Sequence, residues 1–155
     1  NITMCNAKAV CNYAVSILAN QEVAHDGYEE AMLLDPQGFI CQGSGENVFI
    51  VRDGKLHTPD LSGGALNGIT RDTIITFAHE FGIPVLERRI TRDEIYIADE
   101  AFFTGTAAEV TPIREFDNRT IGEGGRGPIT TRLQALFFDT VNGRNPAKKA
   151  WLTKV

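Results

Sequence analysis

The chain has 155 residues, 43% of them hydrophobic and 23% charged, enough for one core and a single domain over residues 1–155. Its net charge of −5 supplies no basic footprint for nucleic acid or an anionic membrane surface. No apolar run approaches the roughly 20 residues of a membrane span, and the polar opening NITMCNAK lacks the charged-then-apolar build of a signal peptide, so a cytoplasmic protein is expected.

Residues 9–25 place Ala9, Val10, Tyr13, Ala14, Ile17, Leu18 and Ala24 at helical spacing, and Asp26-Gly27 supplies a stop, so a helix is predicted to begin just after Lys8. The apolar runs EEAMLLD and GFICQ flank Asp35-Pro36-Gln37-Gly38, whose proline and glycine favour a tight turn and hence a hairpin. A second hairpin is predicted from NVFIVR and KLHTP, joined by Asp53-Gly54, a pair suited to a type I′ turn. After the glycine-rich LSGGALNG, residues 69–81 read as an amphipathic helix closed by Gly82, and Pro84 leads a strand VLERRI at 85–90. Thr91 followed by Glu94 reads as a capping box that opens a short helix, TRDEIYIAD. A buried strand EAFFTG comes next, then EVTPIREFD with an Asp-Asn turn at 117–118. Pro128 suits the first turn of a last helix, PITTRLQALFFDTVNG, where its missing N–H costs nothing. The tail RNPAKKAWLTKV reads as polar and surface-bound. Without a repeat or a low-complexity linker, the pattern is one α/β or α+β domain.

Metal chemistry finds no support in the spacing of ligand-type residues. Cys5, Cys11 and Cys41 contain no CxxC pair and are expected to be reduced thiols. His25, His57 and His79 are scattered, without metal-spaced neighbours.

Lysine and anion chemistry is better represented. Lys8 opens the run KAVCNY. A lysine that captures an aldehyde must attack deprotonated, so its usual pKa of about 10.4 has to fall through desolvation or nearby positive charge. The apolar helical run after Lys8 could supply desolvation, although Lys8 by itself is equally a solvated surface charge and Tyr13 an ordinary helix-face aromatic. Gly68-Ile69-Thr70 starts a helix after a glycine turn, which offers N–H groups and the positive end of the helix dipole to a phosphate dianion. Standing alone, it reads as a well-made helix start. Gly105-Thr106-Ala107-Ala108 follows the buried strand, where small residues allow close backbone approach and Thr106 adds a hydroxyl.

Taken together, KAVCNY, QGSGENVF at 42–49, ALNGITRD at 65–72 and FFTGTAAEVTP at 102–112 resemble the fold-type IV aminotransferases that use pyridoxal 5′-phosphate (PLP), and most closely the branched-chain amino-acid aminotransferases. The resemblance covers nearly the whole chain. It implies the large C-terminal domain of the D-amino-acid-aminotransferase-like fold, a mixed sheet or pseudo-barrel surrounded by helices. It further implies that Lys8 holds PLP as an imine and that Tyr13 contacts the cofactor's phenolic oxygen. The amides of Gly68, Ile69 and Thr70 and the Thr70 hydroxyl would take the phosphate, with Leu66 against one face of the ring. Thr106 would add a phosphate contact, and the amides of Thr106, Ala107 and Ala108 would face the substrate carboxylate. D-amino-acid aminotransferases and aminodeoxychorismate lyases usually carry other residues in the GTAAEVTP run, which favours the branched-chain reading over them.

One position departs from the family pattern. QGSGENVF resembles EGSGENxF, in which the first glutamate pairs with the protonated ring nitrogen of the cofactor, and here that position is Gln42. A carboxylate there keeps the ring protonated and strengthens the electron sink, whereas a glutamine is neutral. Its amide could donate to an unprotonated nitrogen or accept from a protonated one. Glu46 is expected in a structural hydrogen-bonding role.

The implied reaction is ping-pong amino transfer from leucine, isoleucine or valine to 2-oxoglutarate, with Lys8 moving the proton from Cα. A homodimer or larger homo-oligomer is the implied assembly. Family members carry a smaller domain before the lysine, and WLTKV resembles a family C-terminus, so an incomplete N-terminus and a genuine C-terminus are expected here. Two other readings stay open: a non-catalytic module in which Gln42 marks lost chemistry, and a nucleotide-phosphate binder built on GSGEN, which lacks the GK(S/T) ending.

Overall fold

The computed structural model describes Met4 and residues 6–153; Cys5 and the tail's Lys154 and Val155 lie outside the described residues. A 3-10 turn at Val10–Asn12 leads into α1 (Tyr13–His25). The first hairpin is β1 (Met32–Leu34) with β2 (Ile40–Gly43), and Asp35 Oδ1 organises its turn by accepting from the amides of Gln37 and Phe39 at 2.8 and 3.0 Å. The second is β3 (Asn47–Arg52) with β4 (Lys55–Thr58). Asp53 and Gly54 between them adopt φ of 50° and 70°, the left-handed pair that a type I′ turn requires. There follow α2 (Ile69–Glu80), β5 (Val85–Glu87), α3 (Arg92–Tyr96), β6 (Glu100–Gly105), β7 (Glu109–Pro112), β8 (Glu115–Phe116), β9 (Arg119–Thr120) and α4 (Pro128–Val141).

The central sheet is mixed, with strand order β5-β4-β3-β6-β7. β3 runs antiparallel to β4 and β6, and β6 to β7, whereas β4 and β5 are parallel and need α2 as their crossover. Side chains alternate along β3, and both of its faces are covered, which explains the unbroken apolar run VFIV at 48–51. Phe49 and Val51 face a core shared with Ile74 and Phe77 of α2 and Leu133 of α4. Val48 and Ile50 face a second core with Ile90, Ile95 and Phe103. Phe49 stacks on its cross-strand partner Phe102 at 5.2 Å. The β1–β2 hairpin joins this frame through Ile40, whose N–H donates to the Ile90 carbonyl at 2.8 Å.

Several elements differ from the sequence expectation. The strand expected over 85–90 is limited to Val85–Glu87; bonding to the β4 side continues for one step, Arg88 donating to the Thr58 carbonyl at 3.0 Å and accepting from the Asp60 amide at 3.3 Å, before Ile90 turns to the first hairpin. The helix expected over 91–99 is limited to Arg92–Tyr96; both bonds of its capping box form, but the Ala98 and Asp99 amides turn to Ile95 and Val51. The last helix ends at Val141 rather than Gly143. The tail is not merely polar surface: Pro146–Trp151 is a 3-10 helix, and Trp151 stacks on the buried Phe77 at 5.9 Å and 6°. Lys148 anchors it by pairing with Glu80.

The largest correction concerns α1. Its apolar residues point outward, with Val15, Ile17 and Leu18 65%, 57% and 66% exposed, and its buried residue is Ser16. The helix meets the domain through a polar edge, where Asn20 Nδ2 donates to Ser44 Oγ at 3.2 Å. The apolar run therefore does not enclose Lys8, which is exposed. Among the described residues, no helix is long and apolar enough to cross a membrane.

Candidate functional site

A cavity of about 380 Å³ opens between the start of α1, the β2–β3 turn, the start of α2 and the end of β6. Each wall has a local cause. Asn12 folds the segment before α1 back on itself, its Nδ2 donating to the carbonyls of Ala7 and Met4 at 2.9 and 3.0 Å, and this sets Lys8 and Tyr13 at the rim. Glu30 Oε1 accepts from the amides of Ala31 and Ser44 at 2.8 and 3.0 Å, which fixes the β2–β3 turn.

The Leu66 peptide is gripped from both sides. Its N–H donates to Gln42 Oε1 at 2.9 Å, and its carbonyl accepts from Asn47 Nδ2 at 2.7 Å and from the Gly68 N–H at 3.0 Å. That loop delivers the chain into α2, whose N-cap Gly68 provides no side-chain cap. The first-turn amides of a helix have no partners within it, so the Ile69 and Thr70 end of α2 brings donors and positive dipole to the cavity wall. Thr104, fully buried in β6, lines the cavity with its Oγ1 unpartnered among the described residues.

Lys8 and Glu46 are the charged residues among those lining the cavity. The Glu46 carboxyl is pushed above the usual carboxylate range chiefly by burial and further by the Glu30 charge, while the Gly45 amide, donating at 3.0 Å, works against the rise. Glu46 thus serves the turn through hydrogen bonding. Among the described residues, no group of His, Cys, Asp and Glu could hold a metal ion.

A phosphorylated aldehyde fits this donor set. An amine stands at the rim, an uncapped helix start can receive a dianion, Leu66 gives an apolar wall, and the Thr104 hydroxyl has no other partner among the described residues.

The sequence candidates Lys8, Tyr13, Gln42 and Leu66 all line this cavity, as do Gly68, Ile69, Thr70 and Thr106. Ala107 and Ala108 do not. Ala107 is exposed, and Ala108 lines a second cavity of about 720 Å³ beside Phe103, Pro112 and Arg114. The turn after β6 carries them past the rim. Sequence reading missed Asn12, Ser16, Asn47 and Thr104 as wall residues. A signal existed for Asn47, a polar residue opening an otherwise apolar strand, whereas Thr104 looks like any strand threonine.

The family model described as amino-transferase class IV matches residues 2–116. The branched-chain-amino-acid aminotransferase of Pseudomonas aeruginosa is 57% identical over 155 residues, covering 100% of this chain and 50% of that protein. Its Escherichia coli K12 counterpart is 48% identical over 149 residues, 96% of this chain and 48% of that one. The solved branched-chain amino acid aminotransferase of Thermobaculum terrenum, in its PLP holo form, superposes with a TM-score of 0.95 at 45% identity, over 98% of this chain and 50% of that chain. The chain spans about half the length of the curated relatives it matches.

Proposed function

This chain belongs to the class IV amino-transferase family, and on that premise we propose that residues 1–155 form the PLP-binding domain of a transaminase. Its substrates in this reading are leucine, isoleucine or valine as amino donor and 2-oxoglutarate as acceptor. The observation that supports it most is the convergence of Lys8, the start of α2 and the turn after β6 on one cavity.

When bound, PLP supplies an aldehyde that amines capture and an electron-withdrawing ring that weakens bonds at the substrate Cα. Lys8 Nζ is the group assigned to hold the aldehyde carbon and, once released, to take the Cα proton and return it to the cofactor's C4′ carbon. Its exposure in this chain leaves it free to reach into the cavity. The amides of Ile69 and Thr70 and the hydroxyls of Thr70 and Thr106 are assigned to the phosphate, Tyr13 to the phenolic oxygen, and Leu66 to the ring face; Gly68, whose own N–H is held by the Leu66 carbonyl at 3.0 Å, serves the phosphate site by giving the turn room. Gln42 is assigned to the ring nitrogen. Ala107 and Ala108, at the outer end of the same turn, are assigned through their amides to the substrate carboxylate.

The test is to mix the chain with PLP, reduce with borohydride and map the modified peptide by mass spectrometry. A visible absorbance band and one adduct on Lys8, absent in Lys8→Ala, are expected; adducts spread over surface lysines would refute the assignment. Formation of glutamate from leucine and 2-oxoglutarate then tests the substrate class.

The neutral Gln42 favours a second reading, a chain that keeps the cofactor site and has lost rate. A large gain in turnover for Gln42→Glu supports it, and equal turnover opposes it. The exposed Val15, Ile17 and Leu18 stripe supports homo-oligomer formation, which sedimentation at increasing concentration checks. The exposed Cys11 thiol agrees with a cytoplasmic location, where thiols stay reduced.

A further inference from the structure

We infer that Gln42 presents its amide hydrogens to the cofactor ring, so that the chain holds PLP with its ring nitrogen unprotonated. The inference rests on the PLP reading above and resolves the two-way choice that a glutamine offers in principle.

An amide side chain can turn either end toward a ligand, and its neighbours decide which. Here the neighbour is the Leu66 N–H, which can only donate, and it lies 2.9 Å from Gln42 Oε1. Turning the amide over would set Nε2 against that N–H, two donors face to face, and leave a backbone amide without an acceptor. Nor can Leu66 rotate to offer its carbonyl instead, because Asn47 Nδ2 and the Gly68 N–H both hold that oxygen. Gln42 itself is fixed in β2 opposite Leu33. With one Oε1 lone pair filled by the Leu66 N–H, Nε2 is the end of the amide with its bonds unmade: among the described residues no acceptor takes its hydrogens.

An NH₂ group has no lone pair to give. It suits a pyridine nitrogen that carries a lone pair and opposes one that carries a hydrogen. A pyridinium would also need a compensating charge. Gln42 supplies none, and the carboxylate lining the cavity, Glu46, is turned to its own loop, where Oε2 accepts from the Gly45 amide at 3.0 Å. A glutamate at position 42 would behave differently: one oxygen could keep the Leu66 N–H and the other accept from a protonated ring. The substitution thus changes the ring's charge state while leaving the grip on Leu66 intact, which favours cofactor retention with a weaker electron sink.

The experiment is ¹⁵N NMR of this chain loaded with PLP labelled at the ring nitrogen, referenced to free PLP at acid and alkaline pH. The expected result is a shift in the unprotonated range for the unaltered chain, moving to the protonated range in Gln42→Glu. A protonated shift in the unaltered chain with cofactor bound on Lys8 overturns this inference alone. Failure to bind the label, or a borohydride-reduced adduct on lysines other than Lys8, overturns the cofactor reading and this inference with it. The shift of the unaltered chain decides the matter even if Gln42→Glu does not fold.

Discussion

Asn47 and Gly68 interlock: Asn47 Oδ1 occupies the space that a Cβ on Gly68 would need, while its Nδ2 holds the Leu66 carbonyl. Gly68 has an ordinary φ of −72°, so glycine is required there for space and not for backbone conformation. Gly68→Ala is expected to cost about 1–3 kcal/mol, since Asn47 must move and surrender its bond. Asn47→Ala opens that space, so the double variant should lose less than the sum of the singles in urea unfolding. Gly45→Ala, with nothing near its Cβ position, should change stability by no more than about 0.5 kcal/mol.

Glu100 caps a helix from a strand. Its Oε1 and Oε2 accept from the Ile129 and Thr130 amides at 2.9 and 2.7 Å, serving α4, whose N-cap Gly127 has no side chain to do so. Glu100→Ala should destabilise the domain by about 2–3 kcal/mol, given two charge-assisted bonds lost at a buried helix start. Glu100→Gln, retaining one acceptor, should lose less; equal losses in thermal unfolding would contradict the two-oxygen cap.

Arg88 links Glu94 and His57. The Glu94 carboxyl is pushed down to about 2, first by its hydrogen bond from Arg88 and also by the Thr91 amide. A folded value below the ordinary 4.5 means that its contribution is complete above 4.5 and is lost as the pH falls toward 2. Glu94→Ala should cost about 1 kcal/mol at neutral pH, the pair being partly exposed, and the gap from the unaltered chain should close across that acid window. His57 Nδ1 accepts from Arg88 Nε at 3.0 Å, and burial, then the Arg88 charge, push the imidazole below its usual 6.5. Its stabilising share is therefore present above 6.5 and lost below the lowered value, and an NMR titration of the ring should give a midpoint under 6.5.

Trp151 and Leu18 should respond in opposite ways to truncation. Trp151→Ala removes the stack on Phe77 and should cost about 1–2 kcal/mol. Leu18→Gln, on the uncovered face of α1, should shift monomer unfolding by less than about 0.5 kcal/mol. Thermal unfolding of dilute samples checks both, and the reverse order would mean that α1 is packed and the tail is not.

Local chemistry made much of this fold readable. Asp53-Gly54 and the Thr91–Glu94 box act over a few residues, and both appear as expected. The continuous apolar run of β3 and the start of α2 are equally local. What sequence could not give depends on distant partners. The Glu100 cap joins residues 29 and 30 positions apart, and Trp151 finds Phe77 across about half of the chain. The α1 stripe misled because periodicity reports which residues share a face and not whether anything covers it. For the site, glycine runs and Lys8 marked three walls, while Asn47 and Thr104 gained their places only through the β3–β6 ladder.

That ladder brings Asn47 opposite Thr104, and the cavity has no local precursor before it closes. Walls so far apart in sequence come together only after a long loop has been ordered, which slows folding and ties the cavity to the global transition. A molecule bound there recognises the folded chain and not its unfolded ensemble, so a hundredfold excess over Kd adds about 2.7 kcal/mol to the whole domain. Amide hydrogen exchange should register this far from the cavity: the slowest protons of α4, around Leu133, gain the same protection as those beside Gly68.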